Sequence, residues 1–212
     1  MQNSQYSHVI WDWNGTLLDD VNHCVSVINK MLSKRFLKIF ENTNEYHQVF
    51  SFPVIDYYRK IGFDFDKEPF EDLAVEYIDS YYSGSFALHE NAEKVLQRLH
   101  EKGIKQVILS ASEINNLKKQ LSAFDIEKYL VQILGISDIY ARSKTEIGLE
   151  FIKKANVEKA LLIGDTEHDF ETACALGADC VLISNGHQSR EKLLTLGVPV
   201  LENISDVLEI IC

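Results

Sequence analysis

The feature that most constrains this chain is a succession of short, β-rich apolar runs separated by amphipathic stretches. The runs are His8 to Trp13 (HVIWDW), Lys105 to Ser110 (KQVILS), Val131 to Leu134, Ala160 to Gly164 (ALLIG), Cys180 to Ser184 (CVLIS) and Val198 to Leu201. Runs this apolar suit strands that are covered on both faces. Between them lie segments such as Asn91 to His100, where Ala92, Val95, Leu96 and Leu99 share one helical face and Gly103 follows as a stop. Strand–helix alternation of this kind predicts an α/β fold, a doubly wound and mostly parallel Rossmann-like sheet.

One region breaks the rhythm. Residues 36–86 hold 14 of the chain's 20 Phe and Tyr residues and show no clear strand repeat. Within them, Val54 to Ile61 and Pro69 to Tyr82 read as short amphipathic helices. The expected organisation is a core made of residues 1–18 and 88–212, with residues 19–87 inserted as an α-helical cap. Most of the aromatic side chains have a plain use there, because a small domain needs large side chains to bury enough surface.

Composition narrows the function classes. The 212 residues fit one large domain, or a core plus a smaller insert. A net charge of −11 argues against nucleic acid or an anionic membrane as partner. An acidic protein that handles phosphate must offset that repulsion locally, and a bound divalent cation does so. The N-terminal MQNSQYSHVI has no basic segment followed by an apolar run, and no stretch approaches the roughly 18 apolar residues of a membrane span. A cytoplasmic location is the expectation. Cys24, Cys174, Cys180 and Cys212 lie far apart with no CxxC pair, which suggests neither a zinc site nor a disulfide framework.

The residues that carry chemistry fall at the carboxyl ends of the expected strands, where open parallel sheets bind ligands. The first strand runs into Asp12-Trp13-Asn14-Gly15-Thr16, which places a carboxylate beside a tight turn of backbone N–H groups. That arrangement is a phosphate cradle with a nucleophile in it; alone, the segment reads equally as a strand-to-helix turn. A later strand ends Gly164-Asp165-Thr166-Glu167-His168-Asp169, and a helix starting between the two Asp residues turns both towards one loop. Its plainer reading is a helix N-terminus whose acids complement the dipole. Ser110 and Ala111 close the second core strand, a weak signal by itself. Lys144 opens the next helix, where a cation opposes the dipole; it is either solvated or the charge that a transferring phosphoryl group needs.

Together, the four segments resemble the haloacid dehalogenase superfamily over nearly the whole chain: DxDGT, a hydrophobic run ending in Ser or Thr, a Lys, and GDxxxD. The GDTEHDFETACALGADCVLISNGHQS and SFPVIDYYRKIGFDF stretches look most like its phosphoglycolate-phosphatase-like branch, and the aromatic insert sits where a C1-type helical cap does. The resemblance implies a Mg²⁺-dependent phosphatase for a small phosphorylated metabolite, working as monomer or homodimer. Asp12 would attack phosphorus and become an aspartyl phosphate. Mg²⁺ would be held by Asp12, the backbone carbonyl of Asn14 and Asp165, with Asp169 arranging its waters. Gly15, Thr16, Ser110, Ala111 and Lys144 would hold the phosphoryl group, Thr16 mainly by ordering the loop.

Asn14 departs from the pattern. The family's phosphatases carry an acid/base Asp there, whereas an amide has no proton to exchange near neutral pH. Such assistance contributes about 10²–10⁴-fold. Three readings follow: an ordinary phosphatase whose proton comes from water or a cap residue such as His47, an enzyme for good leaving groups such as acyl phosphates, or a phosphate-binding or regulatory protein with little turnover. A metal-independent dehalogenase would use Asp12 too, but has no need of Asp165 and Asp169. In the insert, Arg35, Arg59 and Lys60 are candidates to receive a second anionic group, Arg suiting the planar fork best; each also reads as a solvated charge. His168 and His187 are read as structural.

Overall fold

The computed structural model describes residues 5–137 and 144–211. Its strands are β1 (His8–Trp11), β2 (Leu18–Asp19), β3 (Ala87–Leu88), β4 (Lys105–Glu113), β5 (Gln132–Ile136), β6 (Ala160–Gly164), β7 (Asp179–Ile183) and β8 (Val200–Leu201). Helices α1 (Val21–Lys34), α2 (Thr43–Val49), α3 (Val54–Lys60) and α4 (Phe70–Tyr82) come first; α5 (Ala92–Glu101), α6 (Ile114–Leu121), α7 (Thr145–Ala155), α8 (Glu167–Leu176), α9 (Arg190–Leu194) and α10 (Val207–Ile211) follow. Six strands make one parallel sheet in the order β5-β4-β1-β6-β7-β8. This is the doubly wound α/β sheet that the alternation predicts. The chain builds outward from β1 on one side through β4 and β5, then on the other through β6, β7 and β8. The switch point, and hence the crevice for a ligand, therefore lies beyond the carboxyl end of β1.

The apolar runs work because successive strand residues face opposite ways. Val9, Trp11, Ile108, Leu161, Ile163, Val181 and Ile183 enter one layer with Leu96 and Leu99 of α5. Ile10, Leu109, Leu162 and Leu182 enter the other with Ala173 and Leu176 of α8. Each fully buried Val, Leu or Ile contributes roughly 1.5–3 kcal/mol, against about 0–1 kcal/mol for a surface ion pair. The two apolar layers thus dominate the core. Trp11 and Trp13 bury their rings by giving each indole N–H an acceptor, Gln106 at 3.1 Å and Gln120 at 3.0 Å.

The first strand ends two residues sooner than its apolar run. The N–H groups of Thr16, Leu17 and Leu18 all donate to the Trp13 carbonyl, at 3.3, 3.1 and 2.9 Å, and this curls the chain off the sheet. Gly15 closes the curl at φ +73°, where a Cβ would collide with the Asp165 carboxylate and the His187 ring. β2 and β3, not foreseen in the sequence, pair antiparallel immediately afterwards. Helices α1 to α4 run between them and share an apolar cluster of their own, which includes Ile28, Met31, Leu32, Tyr46, Tyr57, Leu73 and Tyr81. No helix of the described residues is long and apolar enough to cross a membrane.

Candidate active site

Strand register assembles the site. Trp11 lies opposite Ile108 of β4 and Ile163 of β6, so Asp12, Ser110 and Asp165 emerge together at one end of the sheet. The Asp12 N–H still donates to the Ile163 carbonyl at 2.8 Å, which fixes its height beside Asp165. Helix α8 then returns Asp169 to the same place through a capping box. The Thr166 hydroxyl and N–H donate to Asp169 Oδ2 at 2.6 and 3.0 Å, and the Asp169 N–H faces the Thr166 hydroxyl. That leaves Asp169 Oδ1 to take Lys144 Nζ at 2.5 Å, while the same ammonium is bonded to Asp12. Asp165 accepts from the Thr16 hydroxyl at 2.9 Å and from the His187 N–H at 2.6 Å. Asp12, Asp165 and Asp169 each present an oxygen within 4.8 Å of the others.

All of these groups are buried, and their charges do not balance. Burial pushes Lys144 down, but Asp12 and Asp169 outweigh it and hold the ammonium above its ordinary range. Burial raises Asp169, yet Lys144 brings it below the usual carboxylate value. Asp12 shares the same lysine and is nevertheless raised, because burial and the neighbouring Asp169 and Asp165 outweigh the attraction. The two partners of the Lys144–Asp12 pair thus shift the same way, and the reason is crowding: one ammonium serves two carboxylates. Asp165, which Lys144 does not reach, is raised by burial as well, and the attraction of His187 offsets this only in part. Three carboxylates against one lysine fit a further cation, and an all-oxygen donor set suits Mg²⁺.

Beside this cluster sits a second one that gives Asn14 its setting. The Asn14 amide N–H₂ donates to Asp20 Oδ2 at 2.8 Å and to the Tyr81 hydroxyl at 2.7 Å, and its oxygen accepts from the Ser112 hydroxyl at 2.9 Å. Tyr81 itself donates to Asp20 Oδ2 at 2.6 Å. His187 Nε2 lies 3.4 Å from Asp20 Oδ1, and its Nδ1 meets the Tyr46 hydroxyl at 2.8 Å. Burial raises Asp20, but His187, Tyr81 and Asn14 pull it down to about 2. Burial lowers His187, but Asp20 raises it to about 9. A carboxylate–imidazolium pair therefore stands behind an amide that is bonded at both ends.

Asp12, Asn14, Ser110, Ala111, Lys144, Asp165 and Asp169 all line one cavity of about 220 Å³ between the sheet and helices α1 to α4. The other expected residues do not join them. Thr16 is wholly buried with its hydroxyl spent on Asp165, and the Gly15 N–H is taken by Asp20 at 2.8 Å and the Leu18 carbonyl at 3.0 Å. Both order the loop and neither faces the cavity. Arg59 is on the surface, bonded to Asp56 at 2.8 Å with its guanidinium 5.1 Å from the Phe65 ring centre. Arg35 is held by Glu68 and Glu76, and Lys60 is exposed. His47 is half-buried but not part of the cavity wall. Arg142 and Ser143, which precede Lys144, and Cys212 lie outside the described residues. Conversely, Asp20, Tyr46, Tyr81 and Ser112 join the site although sequence reasoning assigns them no role, and His187, expected to be structural, pairs with Asp20. The doubled acid Asp19-Asp20 directly after the turn was the one available signal.

Similar proteins agree on the fold and differ in their names. The chain is 26% identical over 187 residues to a protein of Caldanaerobacter subterraneus named "Putative pyrophosphatase PpaX", covering 82% of this chain and 80% of that one. It is 24% identical over 189 residues to a phosphoglycolate phosphatase of Pseudomonas fluorescens, covering 84% and 70%. The structure of protein tyrosine kinase A of Mycobacterium tuberculosis superposes with a TM-score of 0.80 at 23% identity, over 96% of this chain and 97% of that one. Residues 9–183 match the family described as haloacid dehalogenase-like hydrolase, and the chain belongs to that family.

Proposed function

We propose that the chain is a Mg²⁺-dependent phosphatase of small phosphorylated molecules, with Asp12 as the nucleophile. The observation that carries this reading is the convergence of Asp12, Asp165 and Asp169 at the ends of β1 and β6, with Lys144 bonded between two of them. Asp12, Asp165 and Asp169 would hold Mg²⁺, which when bound neutralises phosphate charge and draws down the raised carboxyls. Lys144 favours the ionised form of Asp12 against the effect of burial, aims the carboxylate, and stands ready for the transferring phosphoryl oxygens. Ser110, whose hydroxyl accepts the Ser112 N–H at 3.0 Å, has no acceptor for its own proton among the described residues and can offer it to a phosphate oxygen. Attack by Asp12 forms an acyl–phosphate bond as the ester P–O bond breaks, and water then hydrolyses that intermediate. The phosphatase and pyrophosphatase names among the relatives support the reaction class.

A second reading, slow turnover with good leaving groups or phosphate binding alone, is favoured by one observation. The Asn14 amide is fixed by Asp20, Tyr81 and Ser112, so no acid occupies the position from which a leaving oxygen would be protonated. Phosphate release from acetyl phosphate and from an alkyl phosphate, each with Mg²⁺ and with EDTA, tests both. Mg²⁺-dependent release from either supports a phosphatase, and release from acetyl phosphate alone selects the second reading. Release that persists in EDTA contradicts the metal assignment.

A further inference from the structure

The cavity has two unlike ends. Beyond the carboxylates, its wall is made of side chains from the four-helix segment, among them Phe50, Phe52, Val54, Tyr57, Ile78 and Tyr82. A substrate with a second anionic group needs a cation at that end, and the described residues of the wall supply none. Among the described residues that line the cavity, the basic side chains are Lys144, His168 and His187. Lys144 is bonded to Asp12 and Asp169, and His187 faces Asp20. The His168 ring lies against Phe52 with 5.0 Å between ring centres, and its Nδ1 is 3.7 Å from Glu171. The arginines of the segment are elsewhere, bonded to Glu68, Glu76 and Asp56. Glu113 adds a negative charge to the lining. Tyr57 contributes a buried hydroxyl with no hydrogen-bond partner among the described residues. The helical wall thus offers ring faces and neutral tyrosine hydroxyls, without a cation among the described residues.

We infer that the group carried by the phosphate is uncharged and apolar, of about the size of a phenyl ring, and that a carboxylate-bearing phosphate ester is a poor ligand. The inference rests on the reading of Asp12, Lys144 and their neighbours as the phosphate end. Its physical basis is an asymmetry. An aromatic ring gains by leaving water for this wall, whereas a carboxylate loses its hydration there and meets no counter-charge among the described residues. The volume is enough for such a group and short of the roughly 300–1,000 Å³ of pockets for larger ligands.

The test compares 2-phenylethyl phosphate with 2-carboxyethyl phosphate, in which a ring and a carboxylate occupy the same place. Calorimetric titration of the Asp12→Asn protein with Mg²⁺ reads binding without turnover, and competitive inhibition of wild-type acetyl phosphate hydrolysis gives the same ratio if that variant does not fold. The phenyl ester should bind at least tenfold more tightly. Val54→Lys, which places an ammonium in the wall, should shrink the ratio by about tenfold. Equal affinities, a preference for the carboxylate, or no binding of either ester overturns the inference. Wild-type protein that binds the phenyl ester but leaves acetyl phosphate intact with Mg²⁺ would refute the phosphatase reading and leave this one standing.

Discussion

The sheet end of the cavity and its helical end are built on opposite principles. At the sheet end the polar side chains are tied to one another: Asp165 to Thr16 and His187, Asp169 to Thr166 and Lys144, Asn14 to Asp20, Tyr81 and Ser112. At the helical end, rings pack edge to face, as Phe50 does on Phe52 and Tyr57, without a charge among them. The first end fixes where a phosphorus atom can react. The second sets what may be attached to it, and does so by shape and desolvation. A fixed network tolerates substitution badly because each loss strands a buried partner; a packed apolar wall gives way more gradually.

Asp12→Asn probes the first principle hardest. Phosphate release should fall by 10³-fold or more, equivalent to about 4 kcal/mol of barrier. The melting temperature in EDTA should hold or rise, because one of three crowded carboxylates is gone. A variant that keeps a tenth of wild-type activity would remove Asp12 from the chemistry.

Asn14→Asp asks whether the network is built around an amide. The new carboxylate would face Asp20 at the 2.8 Å now spanned by a hydrogen bond. We expect urea denaturation in EDTA to show a loss of about 1–3 kcal/mol, and no gain in turnover. Exchanging the pair in Asn14→Asp/Asp20→Asn should recover at least half of that loss. Faster turnover in the single variant would mean that the amide is merely a missing acid.

The His187–Asp20 pair predicts a pH window. His187 is raised from 6.5 to about 9, so its contribution is complete below about pH 6.5 and is lost as pH rises through about 9. Asp20 is lowered from 3.8 to about 2, so its contribution is present above about pH 3.8 and is lost as pH falls through 2. The stability advantage of wild type over His187→Gln in EDTA should therefore be greatest near pH 4–6.5, on the order of 2 kcal/mol, and should fade towards pH 9. A difference that is flat with pH would show the pair to be uncharged.

The smallest effect belongs to Arg59→Ala. Arg59 sits outside the cavity on an exposed ion pair, so kinetic constants should stay within twofold and stability within about 0.5 kcal/mol. A tenfold rise in KM would return Arg59 to the substrate.

The sequence made the sheet end legible and the helical end much less so. Asp12, Ser110, Asp165 and Asp169 follow apolar runs whose period and length force strands, and strands force their ends together. Lys144 was readable for a similar reason, since a cation at a helix start needs an explanation. The Asp20–His187 pair was not, because its members are 167 residues apart and neither interrupts a pattern. Which way Arg59 points was equally hidden. The face that α3 turns inward is decided by how Tyr57 and Tyr58 pack, and that places Arg59 on the outside. The β2–β3 pair escaped because two residues carry no period.

That small ribbon has a consequence for how such a molecule diversifies. Because Leu18 lies directly opposite Leu88, the sixty-seven-residue excursion that carries α1 to α4 departs and comes home across a single gate. A lineage can lengthen, shorten or replace the excursion without rerouting any strand of the sheet. Reaction and recognition are thereby free to evolve at separate speeds.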